Sequence, residues 1–106
     1  MIKCVFRKRG EYFTEFEIFG HANYDEKGKD IVCAAVSTVS QHTARALQKE
    51  GAHVEIINTG KLRVERIAQS EVSQRFVAEL VETLLDLSEQ YPKYIRVNME
   101  VNDDVH

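Results

Sequence analysis

Apolar residues alternate with polar ones in some stretches of the chain and recur every three to four positions in others, and the switch between these periods marks its elements. Ile2 to Arg7 and Tyr12 to Phe19 are rich in β-branched and aromatic residues, and Lys8-Arg9-Gly10-Glu11 between them supplies a turn. They predict a first hairpin. In its second strand Phe16 and Ile18 share a face with Tyr12 and Thr14, while Glu15 and Glu17 point the other way, so the sheet is expected to be covered on one side only. From Ile31 to about Glu50, Val32, Val36, Val39, Thr43 and Leu47 follow helical spacing with Ala35 and Ala46 beside them, and Gly51 stands where a helix stop belongs.

A second hairpin is predicted from His53 to Ile57 and Leu62 to Ile67, around the turn residues Asn58, Thr59 and Gly60. Ser70 can cap a second helix whose apolar stripe is Val72, Phe76, Leu80, Leu84 and Leu87, widened by Val77 and Val81 and ending before Pro92. Ile95, Val97, Met99 and Val101 then alternate with Arg96, Asn98 and Glu100 in a last strand, followed by a polar tail expected to fray. Cys4 and Met99 read as sheet core. The order β-β-α-β-β-α-β predicts an α+β fold of two layers, a mainly antiparallel five-stranded sheet with two helices on one face. Residues 1–106 read as a single domain.

Composition narrows the function. With 106 residues, 43% hydrophobic and 29% charged, the chain has the make-up of a globular protein small enough to gain stability from a partner subunit, so a homodimer is plausible. The formal net charge of -3 argues against non-specific nucleic-acid binding, and the run Lys61, Arg63, Arg66 is too thin to reverse that. No apolar stretch is long enough to span a membrane and the strand-like N-terminus resembles no signal peptide, so a cytoplasmic location is expected. In that compartment a Cys4–Cys33 bridge is not expected. The histidines His21, His42, His53 and His106 are scattered without metal-ligand spacing, so no metal is assigned, and His42 and His53 receive no role. Thr59-Gly60-Lys61-Leu62 lacks the upstream glycine and following hydroxyl of a phosphate loop and reads as a turn.

The chemistry is concentrated between residues 20 and 37. Gly20-His21-Ala22 puts an imidazole at the end of the second strand, and Asp30-Ile31-Val32-Cys33-Ala34-Ala35-Val36-Ser37 puts a thiol in the first turn of the first helix. These are the two groups a thiol hydrolase needs. With Asp30 as N-cap, Cys33 is the third helical residue, beside free N–H groups and the positive end of the helix dipole. Such a site favours thiolate and can receive an oxyanion. Taken singly, each residue also has a plainer reading: Cys33 as a small buried core residue, His21 as a strand-end polar residue, Gly20 and Gly28 as turn glycines, and Asp30 as a helix cap. A carboxylate so near the sulfur opposes thiolate unless backbone donors or His21 occupy it. Ser37 lies one helical turn beyond Cys33, able to donate into the site or to bond back to its own helix. The polar stretch from Asn23 to Lys29 reads as an exposed, mobile loop.

Gly-His-Ala, a glycine-containing loop and then Asp-Ile-Val-Cys-Ala-Ala-Val-Ser resemble the signature of the ribosomal-processing cysteine proteases called Prp, or YsxB-like, with length and element order similar over essentially the whole chain. The resemblance implies His21 and Cys33 as a catalytic dyad, with Asp30 and Ser37, together with Gly20 and Ala34 of the same motif, shaping the site. It also implies a homodimer without cofactor that removes the N-terminal extension of large-subunit ribosomal protein twenty-seven. Two other readings compete: a non-catalytic dimeric module that binds a ribosomal peptide, and a thiol redox sensor, the latter short of a resolving cysteine near Cys33.

Overall fold

Both helices begin where a side-chain oxygen can take up a free first-turn N–H: Asp30 accepts from Cys33 N–H, and Ser70 accepts from Ser73 N–H. The structure, a computed structural model, describes residues 1–26, 30–57 and 60–102. Its elements are β1 (Ile2–Arg9), β2 (Tyr12–Gly20), α1 (Ile31–Lys49), β3 (His53–Ile57), β4 (Lys61–Glu65), α2 (Glu71–Gln90) and β5 (Ile95–Asn102). The expected order holds. α1 ends as Gly51 takes φ +97° and its N–H bonds the Gln48 carbonyl, while Ala52 N–H reaches Leu47, a Schellman-type stop. Asn58 and Thr59, assigned to the second turn, and residues 103–106 of the polar tail lie outside the described residues.

The sheet order is β3-β4-β2-β1-β5. β1·β2, β2·β4 and β3·β4 are antiparallel, whereas β1 and β5 run parallel from Ile2 opposite Ile95 to Arg9 opposite Asn102. This parallel seam follows from the connections. β1 and β4 both oppose β2 and so point the same way, and the crossover through α2 returns β5 in the direction of β4. The two-layer α+β fold is thus mixed, with three antiparallel pairings and one parallel one.

One face of the sheet holds the core. Cys4 and Phe6 of β1, Phe16 and Ile18 of β2, Val64 of β4 and Ile95 of β5 are buried with Val32, Val36 and Leu47 of α1 and Val77, Leu80 and Leu84 of α2. Full burial of each large side chain contributes roughly 1.5–3 kcal/mol. The opposite face carries ion pairs. Arg7 lies 3.5 Å from Glu15, 3.7 Å from Glu17 and 3.0 Å from Glu100, and Arg63 lies 2.7 Å from Glu65. Among the described residues no helix is long and apolar enough to cross a membrane.

Three sequence expectations shift. The pairing of β1 with β2 slips between Arg7 and Lys8, leaving Thr14 as the extra residue; its hydroxyl bonds the Arg7 carbonyl and its own carbonyl accepts Ile67 N–H. This bulge turns Phe13 onto the core and Tyr12 outward, reversing the alternation read from Phe16 and Ile18. On α2 the buried stripe is Ser73, Val77, Leu80, Val81 and Leu84, while Val72 and Phe76 are 51% and 37% exposed. The stripe is rotated because Gln74 on the neighbouring face bonds both the N–H and the carbonyl of Phe13, fixing the helix against the bulge. Met99 is not core: the far half of edge strand β5 exposes Met99 and Val101.

Candidate active site

The site lies at the end of the sheet where β2 leaves, β1 begins and the β3–β4 hairpin turns. Gly20 sits opposite Ile2 at φ +98°, and a Cβ there would run into the Met1 carbonyl oxygen. Only glycine fits both the angle and the approach. The next residue, His21, is exposed, and its carbonyl accepts a hydrogen bond from the Met1 ammonium at 2.5 Å. Its ring rests beside Gly60 of the facing hairpin, whose Cα hydrogen points at Cε1 and Nε2; a Cβ built there would lie 3.5 and 3.6 Å from those atoms.

Asp30 and Cys33 meet as the motif requires. Asp30 Oδ1 accepts from Cys33 N–H at 2.9 Å, and Oδ2 accepts from Tyr24 N–H at 3.0 Å. Loss of solvent opposes ionisation of Asp30, but the N–H groups of Cys33 and Tyr24, joined by the Cys33 side chain and the Asp25 backbone, outweigh it and hold the carboxyl below the usual range. The donors demanded of the backbone by the sequence are therefore in place. His21 is not among them. Cys33 is half-buried, and its sulfur accepts Ala22 N–H at 3.4 Å, so it opens to the site and is not sealed in the core.

These groups surround a cleft of about 260 Å³. Gly20, His21, Cys33 and Ser37 all line it, which brings together four of the candidate site residues read from the sequence. Ile2, Ile18, Val36 and Ile56 give it apolar walls, and Gln41 and Lys61 add polar groups. Ser37 Oγ accepts from Gln41 Nε2 at 2.8 Å, leaving its own hydroxyl proton available to the cleft. Asp30 stands behind the thiol and does not line the cleft; Ala34 is likewise outside it and serves through its N–H, which closes the first helical turn onto the Asp30 carbonyl at 3.0 Å.

The sequence reading missed several contributors. Gly60, Ile56 and Lys61 arrive on a hairpin distant in sequence, and Gly60 carried only a turn signal. Ala22 acts through its backbone, which leaves no trace in residue type. Tyr24, assigned to a mobile loop, packs edge-to-face on Tyr91 and Tyr94. Residues 27–29 of that loop, Gly28 among them, lie outside the described residues.

The family model for cysteine protease Prp matches residues 1–96. The chain belongs to this family. As a member it is a cysteine protease, in keeping with a cleft that presents a thiol and an imidazole. Its fold is similar to the crystal structure of an essential ribosomal processing protease Prp from S. aureus with a covalently linked product peptide: TM-score 0.85 and 25% identity, covering 94% of this chain and 100% of that one. It is also similar to SMU.848 from Streptococcus mutans, with TM-score 0.78 and 25% identity over 96% of each chain. The S. aureus protease with a substrate peptide shares the fold at TM-score 0.77 and 22% identity, over 94% of this chain and 100% of that chain. No curated protein matches by sequence.

Proposed function

We propose that this cysteine protease removes the N-terminal extension of large-subunit ribosomal protein twenty-seven, with Cys33 as nucleophile and His21 as general acid and base. The observation that carries the reading is the single cleft lined by both side chains, in which a backbone N–H already points at the sulfur. The family match and the likeness to a ribosomal processing protease holding a product peptide support the substrate class.

The imidazole of His21 takes the proton of Cys33, and the thiolate attacks the carbonyl carbon of a peptide laid along the apolar walls. The Cys33 N–H is committed to Asp30 and the Ala34 N–H to the Asp30 carbonyl, while the Ala22 N–H donates to the sulfur and favours its thiolate form. The C–N bond then breaks as the imidazolium protonates the leaving amine. Water, deprotonated by His21, adds to the thioester and returns the free thiol. Gly20 positions the histidine, while Ser37 and Gln41 offer a polar pair along the cleft for the peptide backbone.

The working form is a cytoplasmic homodimer. Met99 and Val101 on the edge strand, and Val72 and Phe76 on α2, are apolar surface that a second protomer would cover. Incubation with the extended ribosomal protein, read by mass spectrometry, tests the activity. Cleavage by the wild type, none by Cys33→Ala and a loss of about 10²–10⁴-fold in rate for His21→Ala are expected. Full cleavage by either variant removes that residue from the dyad.

A further inference from the structure

The segment leaving β2 reaches the thiol and its capping carboxylate through backbone donors two residues apart. Ala22 N–H meets Cys33 Sγ at 3.4 Å and Tyr24 N–H meets Asp30 Oδ2 at 3.0 Å, with Asn23 between them at φ +55°. Ala22 is buried in the core on one side of this exposed, left-handed asparagine, but beyond Tyr24 the segment runs into exposed Asp25 and Glu26, so its far end needs a second hold. The Tyr24 ring supplies the anchor. It stands edge-to-face on Tyr91, with centroids 5.7 Å apart at 84°, and on Tyr94, 5.2 Å apart at 81°. In both contacts the positive edge of one ring meets the negative face of another.

The surface that receives Tyr24 is rigid. Tyr91 caps α2 with its N–H on the Leu87 carbonyl, and its own carbonyl accepts from Tyr94 and Ile95 N–H at 3.0 and 3.2 Å. The Tyr94 carbonyl in turn accepts Ile2 N–H at 2.8 Å, which ties this corner to the first residue of the interior strand β1. The segment is thereby fastened to a hydrogen-bonded corner beside the start of β1.

We propose that Tyr24 is a positioning residue for the protease reaction: its ring, seated on Tyr91 and Tyr94, holds Ala22 N–H against the Cys33 sulfur and Tyr24 N–H against the Asp30 carboxylate. The proposal rests on the protease reading of the cleft. When the ring is lost, Oδ2 of Asp30 loses a donor and its charge beside the sulfur is less compensated, while Ala22 N–H drifts from the thiol. Both changes disfavour thiolate. The other charged or titratable groups near the thiol are His21 from β2, Lys61 from the facing hairpin and the Met1 ammonium on the His21 carbonyl. His21 has holds of its own, the Met1 ammonium on its carbonyl and Gly20 against the Met1 carbonyl, and Lys61 is placed by the facing hairpin.

The test is the rate at which iodoacetamide alkylates Cys33 as a function of pH, read by mass on the full chain, alongside kcat and KM for an extended ribosomal peptide. Tyr24→Ala is expected to move the alkylation midpoint up by about one pH unit, a rate about tenfold lower below the midpoint, and to lower kcat more than KM changes. Tyr24→Phe keeps the ring and is expected to restore both. A wild-type alkylation profile in Tyr24→Ala overturns the proposal, as does a Tyr24→Phe variant as impaired as the alanine one. Should Tyr24→Ala not fold, Tyr94→Leu removes one ring of the seat from the opposite side and is read in the same way. Alkylation needs no substrate. A wild type that cleaves nothing would therefore count against the protease reading alone, while the profile would still decide the role of Tyr24.

Discussion

Asp30 illustrates how much one carboxylate does at the head of α1. It caps the helix through Cys33 N–H and holds the preceding segment through Tyr24 N–H. Asp30→Ala is expected to lower stability by about 1 kcal/mol, measured by urea denaturation at neutral pH. Because the folded carboxyl ionises below its ordinary value of 3.8, the unfolded chain takes up the proton more readily. The contribution is complete above that value and is lost as pH falls through the depressed one, so wild type and Asp30→Ala should converge in stability on acidification. His21, Cys33, Asp30 and Ser37 were legible at this scale because their spacing is short and their residue types are chemically distinctive. Tyr24 was not, since its partners lie far along the chain beside Pro92, and an aromatic residue in a polar stretch does not announce what it touches.

At the scale of elements, the ends matter more than the interiors. β2 ends at Gly20, where φ is positive and a side chain would meet the Met1 carbonyl, whereas Gly10, in the first hairpin, also has a positive φ but open space around it. Gly20→Ala is therefore expected to destabilise by about 1–3 kcal/mol. Gly10→Ala should cost about 1 kcal/mol, the strain of the angle without the collision. The difference between their urea midpoints isolates the collision, and equal losses would refute it. The hairpins, helices and caps were readable from periodicity. What escaped was the register: the Thr14 bulge inverts Phe13 and Tyr12, and the grip of Gln74 on Phe13 rotates the buried stripe of α2 away from Val72 and Phe76. Period two and period 3.6 report that a face exists; a single extra residue in one strand decides which side chains occupy it.

For the molecule as a whole, the buried thiol of Cys4 reports on integrity. Burial pushes its pKa up from 9.0 to about 12, so it stays protonated in the folded chain at pH values where the unfolded chain ionises it. That contribution to stability is complete below pH 9 and is lost as pH rises toward 12. Urea midpoints of the wild type should therefore fall more steeply above pH 9 than those of Cys4→Ala. At neutral pH iodoacetamide should label Cys33 alone, with Cys4 reacting only when the whole sheet opens. The mixed sheet itself was only partly foreseeable, because alternation marks strands and says nothing about which distant strand lies alongside.

The seam between β1 and β5 has a consequence for synthesis. As the chain leaves the ribosome, the histidine, the thiol and the helix that carries it emerge early, while β5 and the Tyr91–Tyr94 corner follow last among the described elements. Until they arrive, the interior strand β1 has one open edge and Tyr24 lacks the rings it packs on. A nascent protease of this construction would carry its histidine and thiol into the open before the corner that seats Tyr24 exists, and would stay unready until β5 has emerged.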